Sequence, residues 1–290
     1  MRILVLGAES FGARSTACLV ETASRRILID PGVALAPRRF GLPPHPRERA
    51  AALAIRSAIE AAAATATDIV VTHYHGDHIP LARPDPAQIP LARFSLQKGV
   101  RFWCKGPDGL SRTSLSRRND LIRAWGDAAA LPAEERHDPC ICCSPPVAHG
   151  AAREPGGLVL MVCIRDGEER FAYASDTQCV NGDAVEWIRA RRPGVVLSSG
   201  PSLHRAGASG TEAVRAAVQV QRLLADTGTL ILDHHLLRSL EGYEWLRAFA
   251  RTTGKRVLSA AEYAGRSPLL LEAMRDRLYA EDEKNSAVRP

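Results

Sequence analysis

The sequence predicts an α+β fold: two mixed β-sheets stacked face to face with helices outside, an αββα sandwich. Three observations point there. Residues 1–78 and 158–262 are two β-rich stretches, each joined to helical segments. Four of the strands they contain or flank end in residues of metal-binding type, in an order that can form one rim. The 290 residues, 46% apolar and 24% charged, supply one large core. Strands alternating with helices also suit a single doubly wound sheet; the rim of metal-type residues favours two stacked sheets. The whole chain, 1–290, reads as one domain with an irregular insert at about 79–139 and a charged, frayed tail at about 280–290.

"RILVLG" opens as a strand, and "ACLVET" with "RILID" forms a hairpin across a short polar turn. "DPGVALAPRRFGLPPHP" is a loop rich in Pro and Gly. A helix over Arg47–Ala64 follows from propensity and from the spacing of Leu53, Ile55 and Ile59. "DIVV" is a buried strand. Within the insert only "LSRRNDLIRAW" has helical character. Regularity returns with "ICCSPPVAHG" and the hairpin "GLVLMVCI"/"RFAYASD". Helices then alternate with strands from "DAVEWIRARR" to "PLLLEAMRDRLYAEDE".

No apolar run approaches the ~20 residues that cross a bilayer. The start "MRILVLGAES" lacks a signal-peptide layout, so a cytoplasmic location is expected, with the seven Cys reduced. A net charge of +6 favours anionic partners. No zinc finger or RGG tract accompanies it, and an Arg-rich soluble surface explains it equally. Cys140, Cys142 and Cys143 lack a second Cys pair at zinc spacing, so they read as small hydrophobes in a strand. His45 and His137 read as surface residues.

The chemistry concentrates in His73-Tyr74-His75-Gly76-Asp77-His78, directly after "DIVV" and Thr72. In extended backbone, residues two apart point the same way, so His73 and His75 can converge on one cation. Gly76 permits a sharp turn, which leaves Asp77 and His78 free to face a second cation. Neutral imidazoles with a carboxylate suit Zn²⁺, with Fe and Mn as alternatives. Further ligands must come from elsewhere. His149 ends "PPVAHG", Asp176 ends "RFAYASD", and His234 and His235 follow Asp233 in "TLILDHH".

These motifs resemble the metallo-β-lactamase-fold superfamily, with Asp30 of "LIDPG" matching its first-motif aspartate. "ESFGARS", "LIDPGVALAPRRFGLPPHP", "SPPVAHG" and "LDHHLLR" are similar, more closely, to an uncharacterised archaeal-type family described as predicted metal-dependent ribonucleases. The resemblance implies two divalent ions. His73, His75 and His149 would hold one; Asp77, His78 and a late histidine would hold the other, with Asp176 bridging. "HHLLR" resembles the H-x-x-x-R end of RNase Z-type enzymes, which favours His234 and leaves His235 open. Asp30 would brace the histidine loop without touching metal.

Two cations ~3.5–4 Å apart lower the pKa of a shared water towards ~7, so hydrolysis is the expected reaction. Asp77 or Asp176 could steer protons. In "SSGPSLHRAG", His204 and Arg205 could line the pocket, with His204 as general acid. Arg14, after the tight turn at Gly12, could meet an anionic substrate. The arginines of the insert either cover the cleft and grip phosphates or form a solvated mixed-charge surface. The leading expectation is a phosphodiesterase acting on RNA or a phosphorylated small molecule. Its rivals are a small-molecule hydrolase (lactone, thioester or cyclic phosphate), an iron-dependent oxidoreductase, and a binding protein with structural metal. A bridging carboxylate argues against the last. A homodimer is compatible with all of them.

Overall fold

The computed structural model describes residues 1–150, 157–204 and 210–287. Arg205 lies outside them. The first sheet runs β1 (Arg2–Val5), β2 (Cys18–Glu21), β3 (Arg26–Ile29), β4 (Asp68–Val71) and β5 (Arg101–Cys104) in spatial order. Its first three strands are antiparallel, and the pairs β3–β4 and β4–β5 are parallel. Helix α1 (Pro46–Ala63) provides the β3-to-β4 crossover, and α2 (Arg112–Trp125) follows β5.

The second sheet begins at one edge with β6 (Ile141–Cys143). Between β6 and β9 in sequence lies a separate small ribbon of β7 (Val147–Ala148) and β8 (Leu158–Val159), which carries His149 at its end. From β6 the sheet continues through β9 (Val162–Asp166), β10 (Glu169–Tyr173), β11 (Val195–Ser198), β12 (Thr229–Leu232) and β13 (Val257–Leu258). Helices α3 (Gly182–Arg189), α4 (Gly210–Asp226) and α5 (Leu240–Thr253) alternate with these strands. The short α6 (Ala260–Tyr263) and α7 (Arg275–Ala287) close the chain.

Three apolar layers follow. Val20, Ile27 and Val70 of the first sheet meet Ile164, Phe171 and Ile231 of the second in the centre. Ile55 and Ile59 of α1 and Leu121 of α2 cover the outside of the first sheet. Val185 of α3, Val220 and Leu223 of α4 and Leu246 of α5 cover the second. Both faces of β4 and β12 are therefore covered, which is why "DIVV" and "TLIL" are unbroken buried runs. Each large aliphatic side chain so buried contributes roughly 1.5–3 kcal/mol.

Four expectations are corrected. The insert is not irregular throughout: β5 adds a fifth strand to the first sheet and puts Trp103, 2% exposed, in the central layer. Its alternation is only four residues long, too short to stand out among its Pro and Gly neighbours. Leu53 is 52% exposed, because Ala52, Ile55, Ile59 and Ala62 form the buried stripe of α1. His45 is buried as the N-cap of α1. Its Nδ1 accepts from Arg47 N at 3.2 Å, Glu48 accepts from His45 N at 3.1 Å, and its Nε2 meets Asp282 at 3.0 Å. The tail is helical to Ala287, anchored where buried Arg275 grips Glu48 at 2.6 and 2.7 Å.

Candidate metal centre

Each candidate ligand sits just beyond a strand, buried in β4, β10 and β12 and half-buried in β7, where the ladder ends. β4 delivers His73, His75, Asp77 and His78; β7 delivers His149; β10 delivers Asp176; and β12 delivers His234 and His235. Left-handed backbone at Ser175 (φ 48°) and His234 (φ 23°) redirects the chain at two of these points, and at Asp30 (φ 47°) just beyond β3. That conformation costs on the order of 1 kcal/mol or more in a non-glycine residue. Gly32 is required for a different reason. A Cβ there would lie 2.2 Å from Ile79 N and 2.5 Å from His78 N, so the histidine loop packs directly on its backbone. Gly76 has no left-handed backbone among the described residues; a Cβ there would press on Gln88 Nε2 at 2.9 Å.

The structure brings all eight candidate ligands together. His73, His75, His149 and Asp176 each offer one donor atom, mutually within 4.8 Å, and Asp77, His78 and His234 do the same. Asp176 connects the sets. Its Oδ2 lies 3.1 Å from His149 Nε2, 3.3 Å from His78 Nε2, 3.0 Å from His235 Nε2 and 3.8 Å from His234 Nε2. Asp77 Oδ2 lies 3.3 Å from His234 Nε2. His78 Nε2, His149 Nδ1 and Asp176 Oδ1 are buried without a hydrogen-bond partner among the described residues. Unmade bonds at such atoms cost about 1–3 kcal/mol each. Donors of this chemistry, converging and unsatisfied, fit divalent cations.

The electrostatics divide the cluster. Burial lowers His73 well below its ordinary range, and the neighbouring His78 and His75 push it further. Burial, helped by His149 and His78, takes His75 to about 4 despite Asp77. His78 behaves oppositely: burial pulls it down, but Asp176 and Asp30 more than offset this and hold it well above its ordinary range. Burial would raise Asp176, yet His78, His235 and His234 hold it well below the usual carboxylate range.

Behind the ligands, fully buried Asp30 accepts from Thr72 N at 2.8 Å, Thr72 Oγ1 at 2.6 Å and Tyr173 OH at 2.9 Å. It also pairs with His78 Nδ1 at 3.0 Å, which leaves Nε2 facing the centre. Asp233 accepts from Ser10 N, His234 N and Ala260 N, at 2.9–3.0 Å, and so ties three loops at the late histidines. His235 is held from its other side by Ser202 Oγ at 2.8 Å.

His204 and Arg14 lie outside the donor sets. His204 Nδ1 meets His235 O at 3.1 Å, and burial, then Arg238 and Arg39, push it to about 4. Arg14 is committed to Glu272 through Nε at 2.7 Å and Nη2 at 2.6 Å. Two residues escaped sequence reasoning. Arg238, read only as a motif marker, donates Nη2 to His234 Nε2 at 2.7 Å and approaches Asp77 at 3.5 Å. Glu9, 2% exposed, puts Oε2 3.9 Å from His234 Nδ1 and 3.5 Å from Arg238 Nε. The only signal for Glu9 was its place in "ESFGARS", just beyond the first strand.

The chain is 48% identical to the UPF0282 protein of Methanosarcina mazei, over 97% of this chain and 92% of that one. It belongs to the UPF0282 family. Residues 12–134 of this UPF0282 protein also match the family model of the metallo-beta-lactamase superfamily. Among solved structures it is similar to a metal-dependent hydrolase of the beta-lactamase superfamily, with TM-score 0.56 and 14% identity, covering 93% of this chain and 97% of that one. It is also similar to an isothiocyanate hydrolase from Delia radicum gut bacteria, with TM-score 0.51 and 15% identity, covering 86% and 94%. Both likenesses show the fold alone. The chain thus has the metallo-β-lactamase sandwich, with His/Asp clusters able to hold metal ions. No helix among the described residues is long and apolar enough to cross a membrane.

Proposed function

We propose that this protein is a binuclear metal-dependent hydrolase whose substrates are phosphodiesters, RNA or related. The observation that carries the reading is the shared carboxylate: Asp176 stands between a set of three histidines and the Asp77/His78/His234 set. His73, His75 and His149 would hold one cation, and Asp77, His78 and His234 the other, with Zn²⁺ favoured by the donor set and Fe or Mn as alternatives. When bound, two such cations supply an acidified water and Lewis-acid stabilisation of a developing oxyanion.

The chain's own residues do the rest. Asp30 fixes the orientation of His78 through Nδ1 and anchors the start of the histidine loop through Thr72. His234 is preferred over His235 because it reaches Asp77, whereas His235 is turned to Asp176 and Ser202. Asp77 stays ionised beside His234 and Arg238, which suits it to hold a cation more than to carry a proton. His204 does not suit the general-acid role: an uncharged imidazole with Nδ1 on a carbonyl presents a lone pair at Nε2, which can accept a proton but has none to give. Arg238, at the edge of the donor cluster, supplies positive charge for a phosphate, and Arg14 supplies it less directly.

The test is turnover of bis-(p-nitrophenyl) phosphate and then of RNA by protein loaded with Zn²⁺, Mn²⁺ or Fe²⁺. Chelator-sensitive hydrolysis of both is the expected result. Hydrolysis of lactones or thioesters without phosphodiester turnover would move the protein to the small-molecule class, and O₂ consumption with iron would move it out of the hydrolases.

A further inference from the structure

Well away from the metal centre, at the other end of β10 from Asp176, four arginines surround one cavity of about 540 Å³. Arg165 and Arg170 come from β9 and β10, Arg191 and Arg192 from the turn after α3, and Cys142 and Cys163 line the same space. Strand register makes this more than proximity. Arg165 and Arg170 are direct cross-strand partners, and Cys163 pairs with Cys142 and with Ala172. Like charges directly opposite on one sheet face destabilise it.

Nothing in the described chain relieves that repulsion. Among the described residues, no carboxylate lies within 4 Å of any of these four guanidinium groups, although Arg189 nearby pairs with Glu186 and Asp226 and Arg222 pairs with Glu186. Acidic side chains are therefore available on this side of the molecule but are not placed here. Arg191 is also pre-positioned. Its guanidinium stacks on the Trp187 ring at 3.6 Å, donates Nη1 to Trp187 O at 2.8 Å, and points Nη2 at Cys142 Sγ at 3.5 Å. A guanidinium held flat and still loses less freedom when it takes up a phosphate.

We infer that the Arg165/Arg170/Arg191/Arg192 surface is a docking site for the phosphate backbone of a single-stranded polynucleotide, remote from the metal centre. The inference rests on the phosphodiesterase reading for its partner. Arginines spread over two strands and a turn match successive phosphates along a chain better than one compact anion. Fork-shaped guanidinium donors suit phosphate oxygens. Arg170 lies near the start of β10 and Asp176 just beyond its end, so one strand runs from the arginine surface towards the centre.

The experiment is binding of a fluorescein-labelled single-stranded RNA to the full chain by anisotropy, across a salt series. R165Q/R170Q, R191A and the fourfold variant are compared with the unaltered protein. Removing each phosphate contact should lower the slope of log K against log salt by about 0.7, so the fourfold variant should lose close to ~3. R165Q/R170Q alters side chains near the ends of β9 and β10; thermal denaturation checks that it folds, and its slope should fall by about half as much. Turnover of bis-(p-nitrophenyl) phosphate, too small to span both places, should be unchanged in every variant. An unchanged RNA slope in R165Q/R170Q and R191A would overturn the inference. So would inorganic phosphate at matched ionic strength displacing the RNA completely, since that marks a single-anion pocket. Arginine-dependent RNA binding without any phosphodiester turnover would uphold the surface while refuting the hydrolase reading; turnover without arginine-dependent binding would do the reverse.

Discussion

The two halves of the donor cluster are built on different physics. On one side His73, His75 and His149 pack ring against ring, with centroids 4.6 Å and 4.9 Å apart for the His75 contacts, and Asp176 is the one carboxylate in their set. On the other side His78 and His234 stand among Asp30, Asp77, Glu9 and Arg238, each within 4 Å of one of the two rings. Burial lowers His73 and His75 in the first half and His234, to about 4, in the second; only His78 is held up, by Asp176 and Asp30. The first half would thus hold a cation through three imidazoles, and the second through two imidazoles and the Asp77 carboxylate, with charged neighbours close behind. Asp176 is the one residue both need.

Asp176→Ala should therefore have the largest effect. Bound metal should fall from two ions to at most one, and turnover should drop by at least ~10²-fold, the scale of losing a key electrostatic stabiliser. Retention of two ions would break the picture of a shared ligand. Next come His75→Ala and His234→Ala, one from each half. Each should cost one cation, while His235→Ala should keep both; metal counting per chain decides, and loss of a cation only from His235→Ala would exchange the roles of the neighbours.

A finer contrast lies behind the ligands. Glu9→Gln touches only the half with His78 and His234, so it should weaken one of two binding events by about 10–100-fold in a competitive chelator titration and spare the other, whereas Asp30→Asn, which reaches His78 directly and His73 through Thr72, should weaken both. Equal weakening of both by Glu9→Gln would show that the halves are not separate. The smallest effect is expected far from the centre. Asp138 accepts from Arg25 at 2.8 and 2.9 Å; burial would raise its carboxyl, but Arg25 and the Cys140 and Ile141 amides hold it below its ordinary value. A depressed folded-state pKa stabilises the fold fully above the unfolded value of ~3.9, and this contribution is lost as pH falls through the lower folded value. Asp138→Asn should flatten that acid limb in denaturation measurements and leave metal content unaltered.

The sandwich and the ligand set were legible because both rest on local patterns. "DIVV" and "TLIL" read as strands by themselves, and each ligand follows its strand within a few residues. The residues that escaped act across long separations. Glu9 meets His234 and Arg238 more than 220 positions away in sequence, and His45 is buried only because α7 returns beside it. β5 hid in a Pro-rich segment whose strand is fixed by pairing with β4, not by its own composition. The arginine surface was invisible for a related reason: Arg165, Arg170, Arg191 and Arg192 become one cluster only through strand register and the turn after α3. His204 marks a different limit, since its place in a loop suggested an acid while its surroundings keep it uncharged.

The most direct test of the central claim is elemental analysis of anaerobically purified protein, paired with turnover of bis-(p-nitrophenyl) phosphate. Two zinc or manganese ions per chain, with hydrolysis that His75→Ala abolishes, is the predicted result. One ion per chain, or two ions with no phosphodiester turnover, would contradict it.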